Sequence, residues 1–177
     1  MHFIFDEFKK YQKSSLDEVW YDDIFWCVFT LLMRRQAVEF GDVPPDAVAR
    51  KLATEINVMD KRYRAYEVAI LYELATWMRE NHYHWYCGEE MNNSILLYLL
   101  DITGEKPDLN KPTLWEDEQP FFQITVQAEA FEQLDELLEN HWYLLLWNRE
   151  FEIDRKCSNV AKYGYIIFMK EGDEIDV

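Results

Sequence analysis

The five prolines of this chain fall in two places: Pro44-Pro45, and the set Pro107, Pro112 and Pro120. A proline inside a helix removes a backbone donor and collides with the preceding turn. The long proline-free stretches are therefore the ones able to form extended regular elements. Glycine is also scarce, with five in 177 residues, which disfavours a loop-rich scaffold. The second proline set, with Gly104, marks residues 103–120 as a Pro-rich linker. The expected fold class is α+β and mostly helical. A helical part over 1–102 packs against a small α+β part over 121–177, within a single domain of ordinary size.

Periodicity fills in the elements. Phe3 to Tyr11 reads as a short amphipathic opening piece. Ser14 or Ser15 can cap a long helix whose apolar residues Leu16, Val19, Trp20, Ile24, Cys27, Val28, Leu31 and Leu32 recur at helical spacing. Phe25, Trp26 and Phe29 make its middle apolar nearly all round, as in a helix buried on several sides or one at an oligomer interface. A second helix starts at Pro45 or Asp46 and runs to about Asn57. A third, capped by Asp60, runs to about His82 with the stripe Tyr63, Tyr66, Ile70, Leu74 and Trp77. A fourth covers Glu89 to Leu100. Past the linker, Phe121 to Val126 reads as a strand and Gln127 to Asn140 as an amphipathic helix. Residues 142–147 are apolar throughout and fit helix or strand equally. Tyr163 to Met169 reads as a strand, so strands are expected only after the linker.

Apolar residues make up 49% of the chain, enough for a real core, so disorder is not expected over most of its length. The formal charge is −16. That excess disfavours direct nucleic-acid binding, because phosphates select Lys and Arg, and it disfavours anionic membrane surfaces equally. Cys27, Cys87 and Cys157 are far apart and odd in number, which supports neither a disulfide framework nor a cysteine-only zinc site. The N-terminus carries acids by its sixth residue and does not read as a secretory signal. The longest apolar run, Ile24 to Met33, is short of the roughly 20 residues a bilayer demands. A cytoplasmic protein is the expectation.

Motifs for nucleotide binding are absent, since no two glycines lie close enough to let backbone approach phosphate. There is no G-x-S-x-G. The densest chemical grouping is His82-Tyr-His84-Trp-Tyr-Cys87-Gly-Glu89-Glu90. In an extended conformation His82 and His84 share a face, a workable metal-ligand spacing, and Cys87 could serve as a thiolate nucleophile. The competing reading is a helix end whose histidines suit the dipole, followed by a glycine stop. It is favoured because no further ligand or third catalytic group accompanies the fragment, so no metal and no cofactor are expected. Adjacent acids Asp22-Asp23 and Glu89-Glu90 point about 100° apart on a helix and make no acid–base dyad. Arg34-Arg35 and Lys61-Arg62-Tyr63-Arg64 are the only basic clusters; they could hold phosphate, but complementing acids of the same protein suits the charge excess better.

Acidity is concentrated. Residues 113–154 contain eleven acids and one base, Arg149, which is −10 of the −16. In the helix from Gln127, Glu129, Glu132, Glu136 and Glu139 share one face, with Asp135 beside them and Phe131, Leu134 and Leu138 opposite. Such a row costs a few tenths of a kcal/mol per like-charge pair, where a helix built only for stability would intersperse lysines. The expected partner-binding residues are Trp115, Glu116, Asp117, Glu118, Glu129, Glu132, Asp135, Glu136 and Glu139. Trp115 is expected to be an exposed aromatic anchor.

A small, acidic, aromatic-rich chain without catalytic motifs resembles the bacterial immunity proteins of contact-dependent growth inhibition and related toxin systems. The resemblance rests on size, charge and lack of motifs across the whole chain. It implies a cytoplasmic, non-enzymatic inhibitor that binds a basic protein partner, a toxin domain, often a nuclease, and blocks its active site or substrate surface. Two other classes are an enzyme with a His/Cys site near residues 82–90 and a helical scaffold or regulator, a homodimer joined through the Ile24–Met33 helix.

Overall fold

The computed structural model describes residues 21–141 and 159–172. The opening piece Phe3 to Tyr11, the start of the first helix, residues 142–147 and the acids at 150, 152 and 154 lie outside this set. The fold is α+β and mostly helical.

Helices α1 (Tyr21–Phe40), α2 (Asp46–Lys61) and α3 (Ala65–Glu80) come first, with α1 packed on α3. α1 buries Ile24, Val28, Leu31 and Leu32, a stripe at spacings of three and four. α3 is the central helix: Ala65 through Ala75 is buried without interruption, Glu67 and Glu73 included. The expected one-sided stripe therefore widens to the full circumference. Its first member, Tyr63, lies outside the helix and is 60% exposed. Asp60 does not cap α3, because it still belongs to α2; the N-cap residue is Arg64.

α1 is followed by Gly41 at φ 77°, whereas α2, α3 and the helix Ile95–Leu99 end without glycine. Tyr63, His82 and Asp101 take left-handed φ values of 55°, 59° and 54°. At each, two backbone bonds close the end: Arg64 N–H to Met59 O and Tyr63 N–H to Asp60 O, Tyr83 N–H to Met78 O and His82 N–H to Arg79 O, Ile102 N–H to Leu97 O and Asp101 N–H to Tyr98 O. This is the Schellman pattern, which normally recruits glycine to its left-handed position.

β1 (Trp85–Cys87) corrects the expectation that strands occur only after the linker. Three residues with no alternation carry no local strand signal; pairing with a distant segment creates the strand. Two short helices follow, α4 (Glu89–Asn92) and α5 (Ile95–Leu99), in place of one expected from Glu89 to Leu100. The break lies at Asn93-Ser94, where the Ser94 hydroxyl accepts the Leu97 N–H at 3.2 Å as an N-cap. β2 (Phe122–Val126) buries Phe122, Ile124 and Val126. α6 (Ala128–His141) buries Ala130, Phe131 and Leu134. The expected strand at Tyr163 to Met169 is a hairpin, β3 (Val160–Tyr163) and β4 (Ile166–Lys170), turning through Gly164 at φ 55°.

The sheet order is β1-β2-β4-β3. β1 is antiparallel to β2 with Trp85 opposite Val126, β2 is parallel to β4 with Phe122 opposite Ile166, and β3 is antiparallel to β4. Segments on both sides of residues 103–120 thus share one sheet. Among the described residues, no helix is long and apolar enough to cross a membrane.

The left-handed histidine carries a steric cost that glycine would not. His82→Gly should raise stability by about 0.5–1 kcal/mol, read as a higher denaturation midpoint at unchanged slope in urea.

Candidate functional site

The acidic turn is built on a buried scaffold. Glu55 occupies the apolar face of α2, in register with Val48, Leu52 and Met59, and is 2% exposed. Its carboxylate accepts the Ser94 hydroxyl at 2.8 Å, the Leu96 N–H at 2.9 Å and the Ile95 N–H at 3.3 Å. A side chain of one helix therefore caps the start of another. Ser94 Oγ in turn accepts the Trp115 indole N–H at 2.9 Å. Lys51, one turn before Glu55, donates to the carbonyls of Leu109 and Lys111, both at 3.1 Å, and so pins the chain leading to Trp115.

Trp115 is not the exposed anchor expected of it. It is 3% exposed and meets Phe122 edge-on, ring centroids 5.6 Å apart. The Pro-rich stretch has no periodicity to mark it as inward-facing; the indole is held by Ser94, 21 residues earlier, and by Phe122 at the start of the following strand. Trp115 sits in a 3-10 turn, Leu114–Glu116, where Glu116 Oε1 accepts the Thr113 N–H at 3.3 Å. Glu116, Asp117 and Glu118 are exposed. They form one wall of a cleft of about 500 Å³ whose other wall holds Asn57, Val58, Lys61 and Arg62. Two of the basic residues thus face acids of the same protein.

On α6, Glu129 and Glu132 are exposed. Glu132 is not unpaired: Lys170 Nζ lies 2.8 Å from its Oε1. Glu129 is held below the usual carboxylate range by a hydrogen bond from its own backbone N–H and by the Gln127 side chain, with His84 and Lys170 adding attraction. Asp135, Glu136 and Glu139 belong to the same helix, but their side chains lie outside the described set.

The His/Cys grouping does not converge. His82 terminates α3 and is not extended, so it shares no strand face with His84. His84 Nε2 lies 2.7 Å from Glu171 Oε2 and its ring meets Tyr86 at 5.7 Å. Cys87 Sγ contacts the Ile102 carbonyl at 3.5 Å, beside the Trp85 indole N–H, which donates to the same oxygen at 2.8 Å. Burial pushes the Cys87 thiol up to about 12. Among the described residues, no three His, Cys, Asp or Glu side chains are placed to hold a metal ion. An apolar groove of about 460 Å³ also runs between α1 and α2, lined by Phe25, Phe29, Met33, Leu52 and Ile56. Trp26 stands 59% exposed on α1 beside Phe25 and Phe29.

Comparison with protein-family models, curated proteins and solved structures gives no match.

Two outcomes follow from these environments. Burial raises the Glu55 pKa from 4.5 to about 7, outweighing the bonds from Leu96, Ser94 and Ile95 and the attraction of Lys51. The folded state therefore holds this proton more tightly than the unfolded chain. The resulting stabilisation is complete below about pH 4.5 and is lost as pH rises through about 7. Its full extent is about 3 kcal/mol, and the slope should disappear in Glu55→Gln when denaturation is measured between pH 5 and 8. In the native protein at pH 8, Cys87 should react with iodoacetamide about a thousandfold more slowly than a free thiol, because so little thiolate is present. Peptide mass mapping after timed labelling measures this rate.

Proposed function

We propose that this chain is an acidic binding protein that neutralises a basic protein partner, acting as an immunity protein against a cognate, nuclease-type toxin domain. In this reading it is cytoplasmic and not an enzyme, and it works by occupying the partner's phosphate-binding surface with carboxylates. The observation that carries the reading is the rigid display of the acidic turn. Trp115, buried and bonded to Ser94, fixes Glu116, Asp117 and Glu118 outward at the rim of a cleft. A preorganised carboxylate cluster loses little conformational freedom on binding. Glu129 supports the same reading, since its neighbours keep it ionised on the exposed face of α6.

In this arrangement the exposed acids govern encounter with the partner. Trp115 supports the turn from below, so Trp115→Ala reports on folding and not on the interface. Elevated Cys87 basicity favours a binding role over thiolate catalysis at residues 82–90.

The test is association with the partner, identified from the adjacent gene or by co-purification. Reversing Asp117, Glu118 and Glu129 to lysine should lower the association rate about tenfold at low ionic strength and change dissociation little. The effect should shrink at physiological salt, where charges are screened over about 8 Å. An acidic partner, or an association rate untouched by the triple reversal, would sink the proposal.

A further inference from the structure

The sheet has two edges, and they are not treated alike. β3 carries Lys162, exposed, in its centre. A lysine on an edge strand is a common guard against pairing with another chain. β1, at the opposite edge, reads Trp85-Tyr86-Cys87 and holds neither lysine nor proline.

The backbone of β1 is also partly unspent. Tyr86 lies opposite Thr125, Gln127 N–H donates to the His84 carbonyl at 3.2 Å, and Gly88 N–H donates to the Gln123 carbonyl at 2.9 Å. Residues 84, 86 and 88 therefore turn their backbone groups toward β2. By the alternation of an antiparallel ladder, the groups of Trp85 and Cys87 point the other way. Of these, the Cys87 carbonyl accepts the Asn92 side-chain amide at 3.2 Å. Trp85 N–H, Trp85 C=O and Cys87 N–H are left directed outward, with no protein partner among the described residues.

Beside them lies a cavity of about 450 Å³, lined by Trp85 and Cys87 together with Asn92, Ile102, Gly104 and Glu105. The strand is held in place behind this slot, because the Trp85 indole and the Cys87 thiol both reach the Ile102 carbonyl. An extended peptide is the ligand whose own backbone satisfies such a row of groups, by adding a strand to the sheet. The charge at the slot sets the sign of that peptide. Glu105 lines it, and Glu89 and Glu90 stand exposed just beyond the end of β1. Arg79 lies over the Trp85 ring and donates to the Asp101 carbonyl, Lys106 lies over the Phe40 ring and Lys111 lies 4.0 Å from Glu89, so the acids that set the sign are Glu105, which lines the slot, and Glu90.

We propose that β1 is a docking edge that takes an extended, lysine- or arginine-bearing segment of a protein partner as a fifth strand. The inference rests on the basic-partner reading above for the sign of the charge, and it names the part of the partner that is gripped.

The probe is a capped octapeptide of alternating lysine and valine, titrated into isotope-labelled protein. In the free protein, the amides of Trp85 and Cys87 should exchange with solvent at least about tenfold faster than that of Tyr86. Peptide binding should slow both and shift signals along β1. N-methylation of alternate peptide residues should weaken binding at least about tenfold, since it removes backbone donors. Gly104→Leu should do the same by filling the slot. A Cβ at Gly104 meets nothing within 4 Å, so the new side chain leaves the backbone without a clash at its first atom, and an unchanged urea midpoint checks that the fold is kept. Glu105→Lys should weaken binding several-fold. Protection of Trp85 and Cys87 in the free protein would overturn the proposal, as would indifference to N-methylation or to Gly104→Leu. Equal affinity for an alternating glutamate–valine peptide would overturn the basic occupant. If partner association keeps its response to reversal of Asp117 and Glu118 while these edge tests fail, the docking edge alone is wrong.

Discussion

One buried carboxylate organises the first half of this molecule. A helix start leaves backbone N–H groups without intrahelical acceptors, and a helix as short as α5 cannot offset that loss with its own few bonds. Glu55 supplies the missing acceptor from α2, and Ser94 shares the task. The arrangement fixes the distance between α2 and α5, and it fixes the indole of Trp115 through Ser94 Oγ. Removing the carboxyl leaves three donors facing one another in a dry interior, the kind of defect that costs more than the bonds themselves contribute.

From that anchor the route to the surface is short. The segment leading to Trp115 is tied down by Lys51, the indole is locked below, and Glu116 closes the turn on Thr113. Acids that would be floppy in a Pro-rich linker are held in one arrangement. The protein's excess negative charge is thus only partly a diffuse property of its surface. Part is placed across a cleft from Lys61 and Arg62, and part is neutralised on α6 by Lys170.

What the sequence revealed and what it hid divide along a physical line. The long helices were legible because three-and-four spacing is a local signal, and β2 because Phe122, Ile124 and Val126 alternate with Gln123 and Thr125. β1 was hidden because its three residues become a strand only by meeting β2. The burial of Trp115 is not legible because its neighbours Glu116-Asp117-Glu118 are polar, while the Ser94 hydroxyl that takes its indole N–H lies 21 residues earlier. Other local signals do lie in the sequence. Glu55 sits at a core position in the stripe of Val48, Leu52 and Met59, where an acid implies a buried acceptor role. Asn93-Ser94 ahead of Ile95-Leu96-Leu97 has the form of a helix start.

The parallel pairing of β2 with β4 has a consequence for how the chain is made. Parallel neighbours cannot be joined by a tight turn, and here Val126 and Ile166 are separated by α6 and the residues after it. A ribosome adding about 5–20 residues each second needs roughly 2–8 seconds to cross that interval. Throughout this time β2 has emerged with only β1 beside it, and a two-stranded ribbon is marginal in water. The helices before it have no such wait, because α1, α2, α3 and α5 find one another within the first hundred residues. The nascent protein therefore passes through a stage with a formed helical half and an unfinished sheet, whose apolar strand stands ready for whichever neighbour arrives first.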